Sequence, residues 1–188
     1  MKVAFDEHVP PALVRALQSF ANESQFKRLT GGYEITKAKD YAPRDSDTDF
    51  EAGSDVPWVK RYAADGGQII ISGDVMMMSR SHERLALLEA GLIVCFFTPQ
   101  WSNWKFNRKC ALLINWWPVI VKTMATAEKS TFWQIPSNWQ EDGSLISLPT
   151  NDKKLARIQK QLEKQERVAA ARKSRRDAQT PEGQGKLI

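Results

Sequence analysis

The apolar positions of the chain fall into short continuous runs, separated by stretches in which apolar residues recur every three or four positions. Continuous runs are typical of strands buried on both faces, and the helical spacing is typical of helices that cover such strands. The runs predict strands at residues 2–5, 68–72 and 92–97. Residues 30–55 are polar and predict a loop, with a short strand around residues 33–36.

Helices are predicted between these strands. Pro10 and Pro11 suit the first turn of a helix after the first strand, and Pro57 suits the start of a helix before the second apolar strand. A third helix is predicted to end at Gly91, and a long apolar helix that contains Pro118 follows the last strand. The alternation predicts an α/β fold with a central, mainly parallel sheet that is covered on both faces.

The predicted domain closes with a C-terminal hairpin. Residues 131–149 show the strand pattern twice, with Asp142 and Gly143 as the turn between them. A chain of 188 residues suits one core with an appendage. We therefore predict a domain at residues 1–150, a basic helical extension at residues 151–178 and a flexible tail at residues 179–188.

The positive charge of the chain is confined to the extension. Residues 152–178 hold ten Lys or Arg and four Asp or Glu, a net charge of +6, whereas the whole chain carries +5 and the remainder therefore −1. A helix of this charge could bind an RNA backbone through counterion release. It could equally dock a partner or simply be a soluble extension.

Features of targeting and of disulfide bonding are missing from the sequence. No apolar run approaches the roughly 20 residues of a membrane-spanning helix, and the N-terminal segment lacks the pattern of a signal peptide. We therefore expect a cytoplasmic protein with no membrane partner. Cys95 and Cys110 each lie in an apolar stretch, which is typical of free thiols in a reducing compartment.

Three acids from separate segments are predicted to meet at one edge of the sheet. Asp6 follows the first strand and Asp74 follows the central one, and the carboxyl ends of parallel strands lie at the same edge. Asp55 begins the helix that leads into the Asp74 strand, so we expect its carboxylate at that edge too. Plainer roles remain open: Asp55 could cap its helix, Asp74 could cap the following turn, and Asp6 could merely end its strand.

Clustered carboxylates repel one another, so a cluster of this kind normally requires a cation. Oxygen ligands alone favour the hard ions Mg²⁺ and Mn²⁺. Such an ion can activate a water and neutralise charge on a phosphodiester. Phosphodiester hydrolysis is therefore the first hypothesis for function.

The same residues carry a resemblance to the PIN-like nucleases, especially the branch that includes the Mut7-C domains and VapC-type toxins. The first motif of that branch is a strand ending in Asp, then an acid or amide, a proline and a Leu-rich helix; it resembles VAFDEHVPPALVRAL at residues 3–17. The second and third motifs resemble DVPWVKRYAADGGQIIISGD at residues 55–74, where Asp precedes a helix and a strand ends in Ser-x-Asp. The resemblance covers residues 1–125.

The resemblance implies a Rossmann-like, three-layer PIN fold and an endoribonuclease that depends on Mg²⁺ or Mn²⁺, often the toxin of a toxin-antitoxin pair. It assigns Asp6, Asp55 and Asp74 as catalytic, metal-binding acids, with Glu7 as a further metal-binding candidate. The implied partners are an RNA substrate and an antitoxin protein, and a second copy of the chain is a further candidate. Many PIN domains add an acid after the next strand, where this chain has Thr98, Ser102 and Asn103. An inactive PIN-like module that binds nucleic acid or a protein is therefore the alternative.

Aromatic and basic residues near the predicted site are candidates for contact with RNA. The segment at residues 98–109 mixes both types, a combination that can stack bases and hold phosphates, although its tryptophans could equally pack beneath the loop. Two arginines shortly after Asp74 could contact the substrate backbone or lie on a solvated helix face. These candidates are Arg80, Arg84, Trp101, Trp104, Lys105 and Arg108.

Overall fold

Six strands form one sheet in the computed structural model, which describes residues 1–140 and 143–150 and positions 156, 157, 160, 164 and 167. The strand order is β2-β1-β3-β4-β5-β6, in which the first five strands are parallel and β6 is antiparallel to β5. The strands are β1 (Lys2–Phe5), β2 (Glu34–Lys37), β3 (Ile69–Ser72), β4 (Ile93–Phe97), β5 (Phe132–Ile135) and β6 (Ile146–Leu148).

Helices cover the two faces of this sheet. One face packs against α1, α2 and α5, and the other packs against α3 and α4. Short 3₁₀ turns lie at Ala38–Asp40, Val75–Met78 and Pro99–Asn103. The helices are α1 (Pro11–Asn22), α2 (Ser24–Thr30), α3 (Val56–Ala64), α4 (Ser81–Glu89) and α5 (Phe106–Thr126).

The alternation of side chains along each strand explains why the strands are continuous apolar runs. Successive residues of a strand point to opposite faces. In β3, Ile69 and Ile71 belong to the core cluster formed with α1 and α5, whereas Ile70 belongs to the cluster formed with α3 and α4. Because both faces are buried, every position of the strand must be apolar or internally hydrogen-bonded. The predicted α/β fold in three layers is confirmed.

The predicted helix start at Pro11, the long helix that contains Pro118 and the C-terminal hairpin are all present in the structure. Pro11 is the first residue of α1, and α5 continues through Pro118. The antiparallel pairing of β5 with β6 confirms the hairpin, while its turn residue Asp142 lies outside the described residues. The short helix α2 was not predicted from the sequence.

The contacts of the chain divide it into two units, residues 1–150 and 151–188. Within the second unit, the described positions are helical with exposed side chains, and most of the predicted basic helix and all of the tail lie outside the described residues. The helical positions are Ala156, Arg157, Lys160, Lys164 and Arg167. Across the described part of the chain, no helix combines the length and apolarity that a membrane span requires.

The order of the strands places a topological switch point between β1 and β3. From β1 the chain passes to β2 on one side, and it later returns to β3 on the other side of β1. In open α/β sheets, the connections at such a point diverge and leave a crevice at the carboxyl ends of the two strands. Asp6 and Asp74 follow those two strand ends.

Candidate active site

A cavity of about 690 Å³ opens beside the carboxyl end of β1. Asp6, Asp55 and Arg80 contribute to its wall, together with Glu7 and His8. The long connection between β2 and α3 supplies most of the remaining wall, through Ala38, Lys39, Ala42, Pro43, Phe50, Glu51, Gly53 and Ser54. The cavity therefore lies at the carboxyl edge of the sheet, beside the end of β1 that borders the switch point.

Asp6 joins the end of β1 to the turn that follows β3. Its carboxylate is 6% exposed, and Oδ1 accepts the backbone N–H groups of His8 at 3.0 Å and Gly73 at 3.2 Å. Oδ2 accepts the hydroxyl of Ser72 and faces the backbone N–H of Asp74 at 3.4 Å. Asp6 thus does more than mark the end of its strand, because it fixes the backbone that carries Asp74.

The turn after β3 approaches His8 closely at Gly73. A Cβ atom at Gly73 would lie 3.0 Å from both the Cβ and the carbonyl oxygen of His8. This distance is shorter than ordinary van der Waals contact, so the absence of a side chain lets the two strand ends approach each other. The Gly in the Ser-Gly-Asp sequence is therefore part of what positions the acids.

Asp74 uses its two carboxylate oxygens in different ways. Oδ1 accepts the backbone N–H of Met76 at 2.8 Å and caps the 3₁₀ turn that follows. Oδ2 lies 3.4 Å from Nη1 of Arg80, and the side chain is 11% exposed. The capping role considered from the sequence and a role at the site therefore coexist.

Asp55 directs one oxygen to the same arginine. Within the described residues, its side chain makes no capping hydrogen bond to the start of α3. Instead, Oδ1 accepts the indole N–H of Trp58 at 2.8 Å, and Oδ2 lies 3.8 Å from Nη1 of Arg80. The tryptophan holds the carboxylate in an orientation that directs Oδ2 to Arg80.

A further acid, Glu83, lies at the site and was not predicted from the sequence. Its carboxylate is 1% exposed, and each of its oxygens lies 3.2 Å from Nη1 of Arg80. Burial raises the pKa of Glu83, and the neighbouring Asp55 raises it further. The missed signal is its place in the first turn of α4, because the helix that follows a parallel strand begins at the same edge of the sheet.

His8 adds positive charge to the wall of the cavity. Its Nδ1 atom lies 3.7 Å from Oδ2 of Asp6, and its side chain is 54% exposed. Asp6 raises the pKa of His8 to about 9, with smaller contributions from Asp74 and Glu7. At neutral pH the imidazole is therefore protonated at the wall of the cavity.

The chemistry of these donors fits a divalent cation. Asp55 and Asp74 each place an oxygen within 4 Å of one cationic nitrogen, so the two oxygens are less than about 8 Å apart, the span that one hydrated ion can bridge. Carboxylate oxygens are the ligands that Mg²⁺ and Mn²⁺ prefer. As they stand, no three or more His, Cys, Asp or Glu side chains of the described residues are grouped to hold a metal ion.

Of the residues predicted to contact RNA, Trp101 and Arg84 do not line this cavity. Trp101 is 1% exposed and stacks on Phe97 with ring centroids 3.6 Å apart, so its ring is part of the core. Arg84 donates to the carbonyl of Pro149 at 3.1 Å and lies over the ring of Phe132, which places it against β5 and β6. Arg80 is the member of the predicted set that lines the cavity.

The start of α5 carries the remaining candidates. Lys105 and Arg108 are exposed, and the guanidinium of Arg108 lies 3.9 Å from the centre of the half-buried Trp104 ring. This segment follows the carboxyl end of β4, the strand next to β3. Basic and aromatic groups therefore lie at the same edge of the sheet as the acids, on a neighbouring strand.

A parallel α/β sheet with acids gathered at its switch point is the architecture of a PIN domain. A family model described as a PIN-like domain matches residues 1–99, slightly more than half of the chain. The chain therefore belongs to the PIN-like domain family, whose members are typically metal-dependent nucleases. Searches of curated proteins and of solved structures give no significant match. The predicted family is confirmed, and its narrower Mut7-C and VapC-type branch stays a prediction.

Proposed function

We propose that this protein is a divalent-metal-dependent endoribonuclease that hydrolyses RNA phosphodiester bonds. The observation that carries the proposal is the convergence of Asp55 and Asp74, from two separate segments, on one cationic nitrogen beside a cavity at the switch point. Asp6 orders the backbone beneath Asp74. The same three acids occupy the motif positions that resemble those of the PIN-like nucleases.

Each residue of the site would make a distinct contribution. Asp55 and Asp74 would hold Mg²⁺ or Mn²⁺ through the oxygens that face Arg80, with Asp6 and Glu7 completing the acidic surface. The bound ion would supply an activated water and would neutralise charge on the phosphodiester. Protonated His8 would attract the phosphate into the cavity, because its charge is of opposite sign and its side chain is exposed.

The finer parts of the proposal concern substrate and biological role. Exposed Lys105 and Arg108 at the start of α5 would hold phosphates of a single-stranded RNA. A base would stack on the part of the Trp104 ring that Arg108 does not cover. We further propose that the protein acts in the cytoplasm as the toxin of a toxin-antitoxin pair. A gene for a small antitoxin beside its own gene would support this role.

Cleavage assays with a charge-matched control test the proposed activity. The purified protein is expected to cleave single-stranded RNA with Mn²⁺ or Mg²⁺. Loss of a residue that only supports a metal ligand lowers activity by up to about a hundredfold. Because Asp74 is proposed to be a ligand itself, we expect Asp74→Asn to lower the cleavage rate by at least that factor. Asp65→Asn removes an equal charge at the other end of α3, where Asp65 pairs with Lys2, and should retain the activity. Equal cleavage by the wild type and Asp74→Asn would reject the proposed site.

The inactive module is the second candidate, and the contacts of Arg80 favour it. Because one nitrogen of Arg80 lies within 4 Å of three carboxylates, the arginine offsets part of their mutual repulsion without a metal ion. RNA binding that is independent of metal, together with no cleavage in Mn²⁺ or Mg²⁺, would identify this alternative.

A further inference from the structure

Arg80 occupies the centre of the acidic site. Its Nη1 atom lies 3.2 Å from Glu83, 3.4 Å from Asp74 and 3.8 Å from Asp55, so one nitrogen faces three carboxylates. These acids come from three segments: the residue before α3, the turn after β3 and the first turn of α4. The Arg80 side chain is 44% exposed and lines the cavity, so solvent reaches the guanidinium.

An ion and this guanidinium cannot use the same oxygens at once. Mg²⁺ binds carboxylate oxygens at about 2.1 Å. Asp55 and Asp74 face Arg80 at 3.8 and 3.4 Å, so they would have to draw together around an ion in the space that the guanidinium now fills. The positive charge of Arg80 would also repel a divalent ion bound to these two carboxylates.

We propose that Arg80 is a built-in counter-ion that competes with the divalent ion for Asp55 and Asp74. The inference rests on the metal-dependent function proposed above. Without the ion, Arg80 offsets the repulsion among the acids; when the ion binds, Arg80 leaves Asp55 and Asp74. Glu83 acts as its anchor, because this buried carboxylate faces Nη1 with both oxygens. The displaced guanidinium therefore stays at the cavity wall, where it can contact a substrate phosphate.

Two measurements with opposite expected signs test this inference. Isothermal titration calorimetry with Mn²⁺ gives the affinity of the metal-free protein, and urea unfolding in EDTA gives its stability. We expect Arg80→Gln to bind Mn²⁺ about tenfold or more tightly than the wild type, since a unit charge within 4 Å of the ligands is removed. The same variant is expected to unfold at a lower urea concentration, because Glu83 loses its partner.

Matched variants separate this role from a merely structural one. Arg80→Lys keeps the charge and should bind Mn²⁺ with nearly wild-type affinity. Arg84 lies one turn further along α4, where it donates to the carbonyl of Pro149. Arg84→Gln should therefore leave the affinity for Mn²⁺ unchanged. If Arg80→Gln folds poorly, the double variant Arg80→Gln with Glu83→Gln removes the buried charge as well and should still bind Mn²⁺ more tightly than the wild type.

The outcomes distinguish this inference from the proposed function. If the wild type binds Mn²⁺ and Arg80→Gln binds it equally or more weakly, the counter-ion role is overturned while the metal centre stands. If neither the wild type nor any Arg80 variant binds Mn²⁺ at millimolar concentration, the metal centre and the counter-ion are both overturned. Tighter binding by Arg80→Gln, with lower stability in EDTA, supports the competition.

Discussion

Ser72 offers the sharpest test of how the acids are positioned. Its side chain is fully buried at the end of β3, where its hydroxyl donates to Oδ2 of Asp6 and accepts the backbone N–H of Asp74 at 3.0 Å. One oxygen atom therefore connects the two acids that follow β1 and β3. The change Ser72→Ala removes this connection and leaves the apolar surroundings of the strand intact.

The expected loss of stability follows from these two hydrogen bonds. A hydrogen bond to a charged group contributes about 1.5–3 kcal/mol, and one between neutral groups contributes about 0.5–1.5 kcal/mol. Asp6 keeps the backbone N–H groups of His8 and Gly73 as partners, which limits the loss. We therefore expect Ser72→Ala to lower the free energy of unfolding by about 2–3 kcal/mol, which for a chain of this length lowers Tm by about 5–10 °C.

Urea unfolding followed by tryptophan fluorescence measures this change, because Trp101, Trp116 and Trp117 are all buried in the core. Ser79→Ala is the matched control, since that hydroxyl is exposed and donates to the carbonyl of Met76 at 2.8 Å. The control should change the free energy of unfolding by less than about 0.5 kcal/mol. A loss as small as this in Ser72→Ala would refute the connection between Asp6 and Asp74 through Ser72.

Two further predictions concern the same strand ends. Gly73→Ala should lower the thermal midpoint and the cleavage rate together, because its Cβ would lie 3.0 Å from His8; unchanged values would contradict the close approach. His8, with a pKa raised from 6.5 to about 9, should contribute stability that is full below pH 6.5 and is lost as the pH rises through 9. Because the side chain is 54% exposed, we expect only about 1 kcal/mol, measured as the difference between the wild type and His8→Asn in urea unfolding at pH 6 and pH 10. Parallel pH profiles for the two proteins would rule out this contribution.

The strands and two of the site acids could be predicted because their signals are local. Strands buried on both faces require continuous apolar runs, and Ile69–Ser72 and Ile93–Phe97 lie within such runs. The position of Asp6 and Asp74 then follows from sheet geometry alone, since both end parallel strands. Once β1 pairs with β3 in parallel, the two acids that follow these strands lie near each other.

The contacts of Arg80, Glu83 and Trp101 could not be predicted because they depend on tertiary packing. An arginine and a glutamate three residues apart at the start of a helix are usually a solvated pair. Here the first turn of α4 lies at the carboxyl edge of the sheet, which buries Glu83 and directs Arg80 to the site. Whether Trp101 was buried or exposed depended on its stacking against Phe97, a contact that no local pattern indicates.

The division of roles among the acids bears on the acid that this chain lacks after β4. Asp6 already accepts four hydrogen-bond donors, so its oxygens have little capacity left for an ion. Asp55 and Asp74 each direct one oxygen to Arg80, and two oxygens alone are a small ligand set. Glu83 faces Nη1 of Arg80 with both oxygens and so holds the arginine beside Asp55 and Asp74. Substitution of Glu83 by Gln leaves Asp55 and Asp74 as the acidic partners of Arg80, so it should weaken Mn²⁺ binding. Tighter binding by this variant would contradict the anchoring role of Glu83.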